Sequence, residues 1–176
     1  MASIISPSSF VQEYSIPNRS EPMTAEAIQW YIDKYEPLLL TELLGDSLYT
    51  LLKAGLVADP VLAKWTNLSD KCKTSIIGFV YWHYRFSNTT QTGNIGETAP
   101  NAENADIVTP LEKMIPIWNE MVGNNVEVVK FINANTADYA AYYNQSWVAY
   151  CGTLMGFGSF YGCKPWIFEV KNIWGL

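Results

Sequence analysis

From Ile76 to Phe86, eight of eleven residues are aliphatic or aromatic: Ile76, Ile77, Phe79, Val80, Tyr81, Trp82, Tyr84 and Phe86. A helix built from this run is apolar on almost every side, so other elements must cover most of its surface. β-Branched and aromatic residues would also permit a buried strand over the same positions, and periodicity does not separate the two. The length of the segment from Asn67 to Ser87 selects the helix. The fold is therefore expected to gather around one well-covered helix. His83 lies inside the run and reads as a satisfied core or interface histidine rather than as a catalyst.

The flanking segments also read as helical. Thr24 is placed to cap a helix, with Glu26 in its first turn where the macrodipole favours an acid. Ile28, Tyr31, Ile32 and Tyr35 recur at helical spacing. Pro37 is expected to break or kink this helix, Leu38 to Leu44 to restart it, and Gly45 to stop it. Asp46 can cap a further piece that buries Leu48, Tyr49, Leu51 and Leu52 and ends at Gly55. Asp59-Pro60 reads as another start signal, a capping acid before a proline at the first helical position. Thr109-Pro110-Leu111-Glu112 is a capping box, followed at helical spacing by Leu111, Met114, Ile115, Trp118, Met121 and Val122. Pro116 should bend that helix. Asn124-Asn125 is expected to end the run, with Asn125 capping a next helix that carries Val126, Val129 and Ile132.

Three segments depart from this pattern. Residues 1–23 hold Pro7, Pro17 and Pro22 with Phe10, Val11, Tyr14 and Ile16 spaced between serines, which reads as an extended arm. Such an arm can lie across a neighbour or on its own domain. The long polar loop over residues 87–104 exceeds an ordinary connection and is rich in Asn, Thr and Gly. Near the end, Trp166, Phe168 and Val170 alternate with Ile167, Glu169 and Lys171, as a β-strand requires. The expected fold is mainly α: a helical bundle over residues 24–146, an extended arm over 1–23, and a Gly- and aromatic-rich tail over 147–176 with a short β segment.

Composition narrows the function. Charged residues are 16% of the 176-residue chain, against about 25% in an average soluble domain. Aromatics reach 14%, including 7 Trp and 11 Tyr, more apolar surface than one small core uses. The net charge of −6 repels a nucleic-acid backbone. The N-terminus, MASIISPSSF, has no basic flank and no long apolar run, unlike a signal peptide. Cys72, Cys151 and Cys163 form no CxxC pair and His83 has no partner histidine, so no metal site and no cofactor is expected. Free buried thiols fit the cysteines better than a Cys151–Cys163 disulfide. Asp33 and Glu36, beside Lys34, read as solvated helix surface, and no catalytic constellation stands out. From Tyr139 to Cys163 there is no charge, and Gly152-x-x-x-Gly156 and Gly158-x-x-x-Gly162 occur. That permits a membrane contact, although the apolar run is shorter than the roughly 20 residues a spanning helix needs.

Two groups of motifs bear a family likeness. The run Ile32-Asp33-Lys34-Tyr35-Glu36-Pro37-Leu38-Leu39-Leu40-Thr41-Glu42-Leu43-Leu44-Gly45, followed by Leu48-Tyr49, resembles the first helices of tailed-bacteriophage head–tail connector proteins. It is most similar to those of Bacteroides-infecting and crAss-like phages. Tyr81-Trp82-His83-Tyr84-Arg85, Gln91 to Glu97, Asn101 to Ala105 and Ile117 to Val122 follow in the same order. Together they cover residues 24–125. The resemblance implies an all-helical adaptor that assembles under the portal as a ring, typically of about twelve copies in closed symmetry. Such a ring extends the DNA channel and carries the tail. The C-terminal part from Trp147 onward departs from the simple helical pattern of such adaptors.

On this reading the chain is a structural virion protein of the phage neck, made in the host cytoplasm. Its partners are copies of itself, the portal protein and other neck and tail proteins. DNA passes through without specific binding and no membrane takes part. Phe10, Tyr14 and Ile16 of the arm and Trp166, Phe168, Val170 and Trp174 of the tail are expected at subunit interfaces. Glu97, Glu103 and Asp106, with no base near them in sequence, are expected to face the channel, although an outer rim would suit them too. The competing reading is a small membrane-associated or binding protein using residues 139–163. A third, an enzyme built on His83, finds little chemistry around it.

Overall fold

A computed structural model describes residues 3–88, 91–93, 96–98 and 110–142 of the chain. Among these residues the fold is mainly helical, with three long helices: α1 over Pro22–Val57, α2 over Ala63–Ser87 and α3 over Pro110–Ala134. The expected C-terminal β segment lies outside them.

Helix α1 starts two residues before Thr24. Glu21 is its N-cap, without a side-chain capping bond, and Pro22 takes the first helical position, where a missing N–H costs nothing. Pro37 sits inside the helix and does not end it. The break falls at Gly45, whose φ of 76° and ψ of 156° interrupt the helical backbone and divide α1 into two helical segments. An L side chain pays steric energy at that φ, which is why a glycine stands there. Along α1 the buried positions 28, 32, 36, 40, 44, 48 and 52 recur every fourth residue. All are Ile or Leu except Glu36.

The Asp59-Pro60 peptide is cis and lies in the link between α1 and α2; the second helix opens only at Ala63, with Leu62 as its N-cap. Proline here therefore shapes a connection instead of a helix start. Helix α2 is central and packs against both neighbours. It runs antiparallel to α1, with Tyr84 beside Tyr31 and Phe79 beside Tyr35. It is also antiparallel to α3, with Trp82 against Trp118, Gly78 against Met121 and Lys71 over the ring of Phe131. Beyond α3, the Tyr139 hydroxyl donates to the Lys64 carbonyl at 2.8 Å and closes the far end of the body.

Helix α3 does not stop at Asn124-Asn125. Asn125 is fully buried in mid-helix, and its Nδ2 donates to the Met121 sulfur at 3.0 Å. Its Oδ1 and the hydroxyl of Ser75 have no hydrogen-bond partner among the described residues. By the pairing of Gly78 with Met121 and Lys71 with Phe131, Ser75 and Asn125 stand at the same level of the α2–α3 contact. Within the expected polar loop, β1 (Gln91–Gly93) and β2 (Gly96–Thr98) pair antiparallel, with Thr92 opposite Glu97.

The N-terminal arm is not free of its own domain. It folds as two short 3₁₀ turns, Pro7–Ser9 and Gln12–Tyr14, laid across the helices. Phe10, Tyr14 and Ile16, expected to meet a neighbouring subunit, are 0%, 6% and 2% exposed within this chain's own core. Burying such side chains stabilises by about 1.5–3 kcal/mol each, so the nearest apolar face captures them.

Candidate functional site

Two features stand out from plain packing. The first is a continuous line of rings across α1 and α2. Trp30 meets Tyr31 at 4.9 Å between centroids, Tyr31 stacks on Tyr35 at 5.9 Å, and Tyr35 stacks on His83 at 3.9 Å. His83 meets Trp82 edge-on at 5.1 Å, and Trp82 stacks on Phe86 at 5.2 Å. The two ends are open to solvent: Trp30 is 55% exposed and Phe86 53%. The Lys34 ammonium lies over both Trp30 and Tyr35, 4.9 and 5.1 Å from the ring centres, in cation–π contact.

His83 takes its properties from this line. Burial, then the charge of Lys34, pull its pKa from 6.5 down to about 4, so the imidazole is neutral at neutral pH. Its Nε2 and the Nε1 of Trp82 have no hydrogen-bond partner among the described residues. Tyr35 stacks on the imidazole, and Phe79 and Trp82 meet it edge-on.

The second feature is a carboxylate clasp on the N-terminus. Glu36 is only 6% exposed, not the solvated surface acid its sequence neighbours suggest. Ile4 N–H donates to both of its oxygens, at 2.9 and 3.1 Å, and Ile5 N–H to Oε2 at 3.3 Å. Burial raises its pKa, the two backbone N–H groups pull the other way, and Asp33 raises it further. The Ser3 hydroxyl donates to Asp33 at 3.3 Å beside it. Further along the same segment, Tyr14 meets Tyr81 of α2 edge-on at 5.7 Å. Burial and then Glu120 of α3 raise the Tyr14 pKa. Residues 3–16 therefore strap α1 and α2 together, with Tyr14 near Glu120 of α3. A cavity of about 150 Å³ opens beside the clasp, lined among others by Ser3, Asp33, Glu36, Tyr49 and Lys53.

No group of three or more His, Cys, Asp or Glu among the described residues is arranged to hold a metal ion. Cys72 is free and buried, its thiol pushed up to about 12 by burial and by the charge of Glu36. No helix among the described residues is long and apolar enough to cross a membrane. Glu97 lies in β2. Glu103, Asp106, Trp166, Phe168, Val170, Trp174, Cys151 and Cys163 lie outside the described residues, as does most of the uncharged 139–163 segment. Sequence reasoning missed Glu36, although a signal was present, since an acid falls on the every-fourth-residue apolar stripe of α1. No protein-family model, curated protein or solved structure matches this chain.

Proposed function

We propose that this chain is a structural subunit of a tailed-phage neck, a head–tail connector that assembles as a homo-oligomeric ring beneath the portal. The observation that carries this reading is the line of rings from Trp30 to Phe86, exposed at both ends on a helical body. Trp, Tyr and Phe are enriched in the cores of protein interfaces, where truncating one can cost about 2 kcal/mol or more. The family resemblance over residues 24–125 supplies the kind of interface. In this reading the ring continues the DNA channel, and the net charge of −6 keeps the passing duplex from adhering. Glu97, Glu103 and Asp106 line the channel, and the tail residues Trp166, Phe168, Val170 and Trp174 complete the contacts between subunits. The protein is made in the host cytoplasm and resides in the virion neck.

Negative-stain imaging of the full chain incubated with its portal protein tests the proposal. Discrete rings seated on the portal support it. Dispersed single particles beside bare portals contradict it, and retention of the chain by lipid vesicles would favour a membrane-associated protein instead.

A further inference from the structure

Residues 3–16 are held by tertiary contacts alone. Their own backbone bonds close only short turns: Ser9 to Ser6, Phe10 to Pro7, Tyr14 to Val11 and Ser15 to Gln12. The polar grip is the Glu36 carboxylate on the Ile4 and Ile5 amides, helped by Ser3 on Asp33. The apolar grip is Ile5, Phe10, Tyr14 and Ile16. Everything that fixes the strap is thus a feature of the helical body beneath it, and every copy of the chain carries the same face.

The link that ties the strap to α1 is short and exposed. Pro17, Asn18, Ser20 and Glu21 face solvent, and the Glu21 N–H donates to the Asn18 carbonyl at 2.9 Å across a tight turn. Asn18 sits at φ 56°, and within the strap Gln12 sits at φ 54°, both in the left-handed region that L residues adopt at a cost. A short hinge held in a tight turn favours exchange of the element it carries, because exchange keeps all the element's contacts and relaxes the hinge.

We propose that residues 3–16 are an exchangeable strap: closed on its own body in the isolated chain, it seats on the same face of a neighbouring copy in the assembly. This rests on the homo-oligomer reading above. Extended, the five residues 17–21 span about 17 Å, so exchange requires a neighbour whose strap face begins within that distance of Pro22. A neighbouring body in a ring also presents its face at high effective concentration, so no new contact is needed to favour exchange. Glu36 then receives the Ile4 and Ile5 amides of another copy, and the buried arm residues join subunits after all.

The test uses the full chain with Ser3→Cys and Asp33→Cys, positions whose side chains are in hydrogen-bond contact in the closed form. Isotope-labelled and unlabelled protein are mixed before assembly and oxidised, and the disulfide-linked peptides are identified by mass spectrometry, with native mass read in parallel. The expected result is same-isotope peptides in dilute monomer and a mixed-isotope fraction approaching random pairing in the oligomer. A short Gly-Ser insertion after Asn18, which relaxes the closed turn, should lower the mixed fraction. An oligomer yielding only same-isotope peptides overturns strap exchange and leaves the ring reading standing. A chain that stays monomeric at every concentration and also in the presence of the portal protein, with only same-isotope peptides, overturns both.

Discussion

The imidazole of His83 lies flat on the phenol ring of Tyr35, with centroids 3.9 Å apart and planes inclined by 8°. Phe79 closes on the same imidazole edge-to-face at 4.6 Å. This contact ties α1 to α2 and favours the neutral ring, because burial strips water from the charged form and the nearby charge, Lys34, is of the same sign as an imidazolium.

The first prediction follows from that contact. His83 has a folded pKa of about 4 against 6.5 for the free side chain, so the unfolded chain takes up the proton first. The histidine's contribution to stability is complete above about pH 6.5 and is lost as pH falls toward 4, by at most about 3 kcal/mol. His83→Phe keeps a ring on Tyr35 and removes the titration. Urea unfolding across this range should show the wild type weakening toward acid more steeply than the variant.

Glu36 acts in the opposite direction. Its folded pKa lies above the ordinary 4.5, with burial the first cause, so the folded chain binds its proton more tightly. Its contribution is present below pH 4.5 and is lost as pH rises through the raised value. The groups facing it are Asp33 on its own helical segment, Tyr49 and Lys53 on the segment after Gly45, Cys72 on α2, and the two strap amides. Glu36→Gln abolishes this slope and turns an amide NH₂ toward the Ile4 and Ile5 donors. Hydrogen exchange at those two amides should quicken, the opening free energy falling by about 1 kcal/mol or more, while amides in the middle of α2 hold their protection.

Close packing sets a third expectation. The indole of Trp65 lies so near Gly55 that a Cβ there would overlap it. Gly55→Ala must displace Trp65 and should destabilise by about 1–3 kcal/mol, read as a lower thermal midpoint. Gly78→Ala meets the Cβ of Met121 at 3.1 Å, a milder approach that should cost less.

A matched pair separates core from surface. Phe10→Ala removes a fully buried ring and should cost about 3–5 kcal/mol of monomer stability. Phe86→Ala, at a 53% exposed position, should leave the monomer's melting temperature nearly unchanged and weaken assembly. A similar loss of monomer stability in both variants would remove the distinction between strap and surface aromatic.

Much of the helical framework was legible because its causes are local. The apolar run around Phe79 demanded a covered helix, and Gly45 broke α1 where a glycine was the only cheap choice. Pro37 and Asn125 misled for one reason: each is a local helix breaker that tertiary packing overrides. Asn125 stays helical because α2 covers it and the Met121 sulfur takes one of its donors. The spacing of Phe10, Tyr14 and Ile16 announced burial but not by which chain, since apolar periodicity carries no address. The Glu36 clasp joins residues 32 apart in sequence, a distance over which no local pattern speaks. The stacking of Tyr35 on His83 is equally non-local, although the apolar setting of His83 was plain.

The reading of the acidic residues has its own consequence. If Glu97, Glu103 and Asp106 line a channel, replacing all three by lysine turns repulsion of the phosphates into attraction, over about 10 Å at 0.1 M salt. Particles carrying the triple variant should assemble, retain DNA and eject it slowly, with added salt restoring release. Normal packaging and ejection would place these residues on the outer rim.

Mass photometry of the chain, alone and with its portal protein, addresses the central claim most directly. A homo-oligomeric connector predicts that the mass of the portal particle rises by one fixed multiple of the 19.8 kDa chain, and that Phe86→Ala abolishes the increase and leaves the chain at its monomer mass. A chain that remains at its monomer mass with and without portal would contradict it.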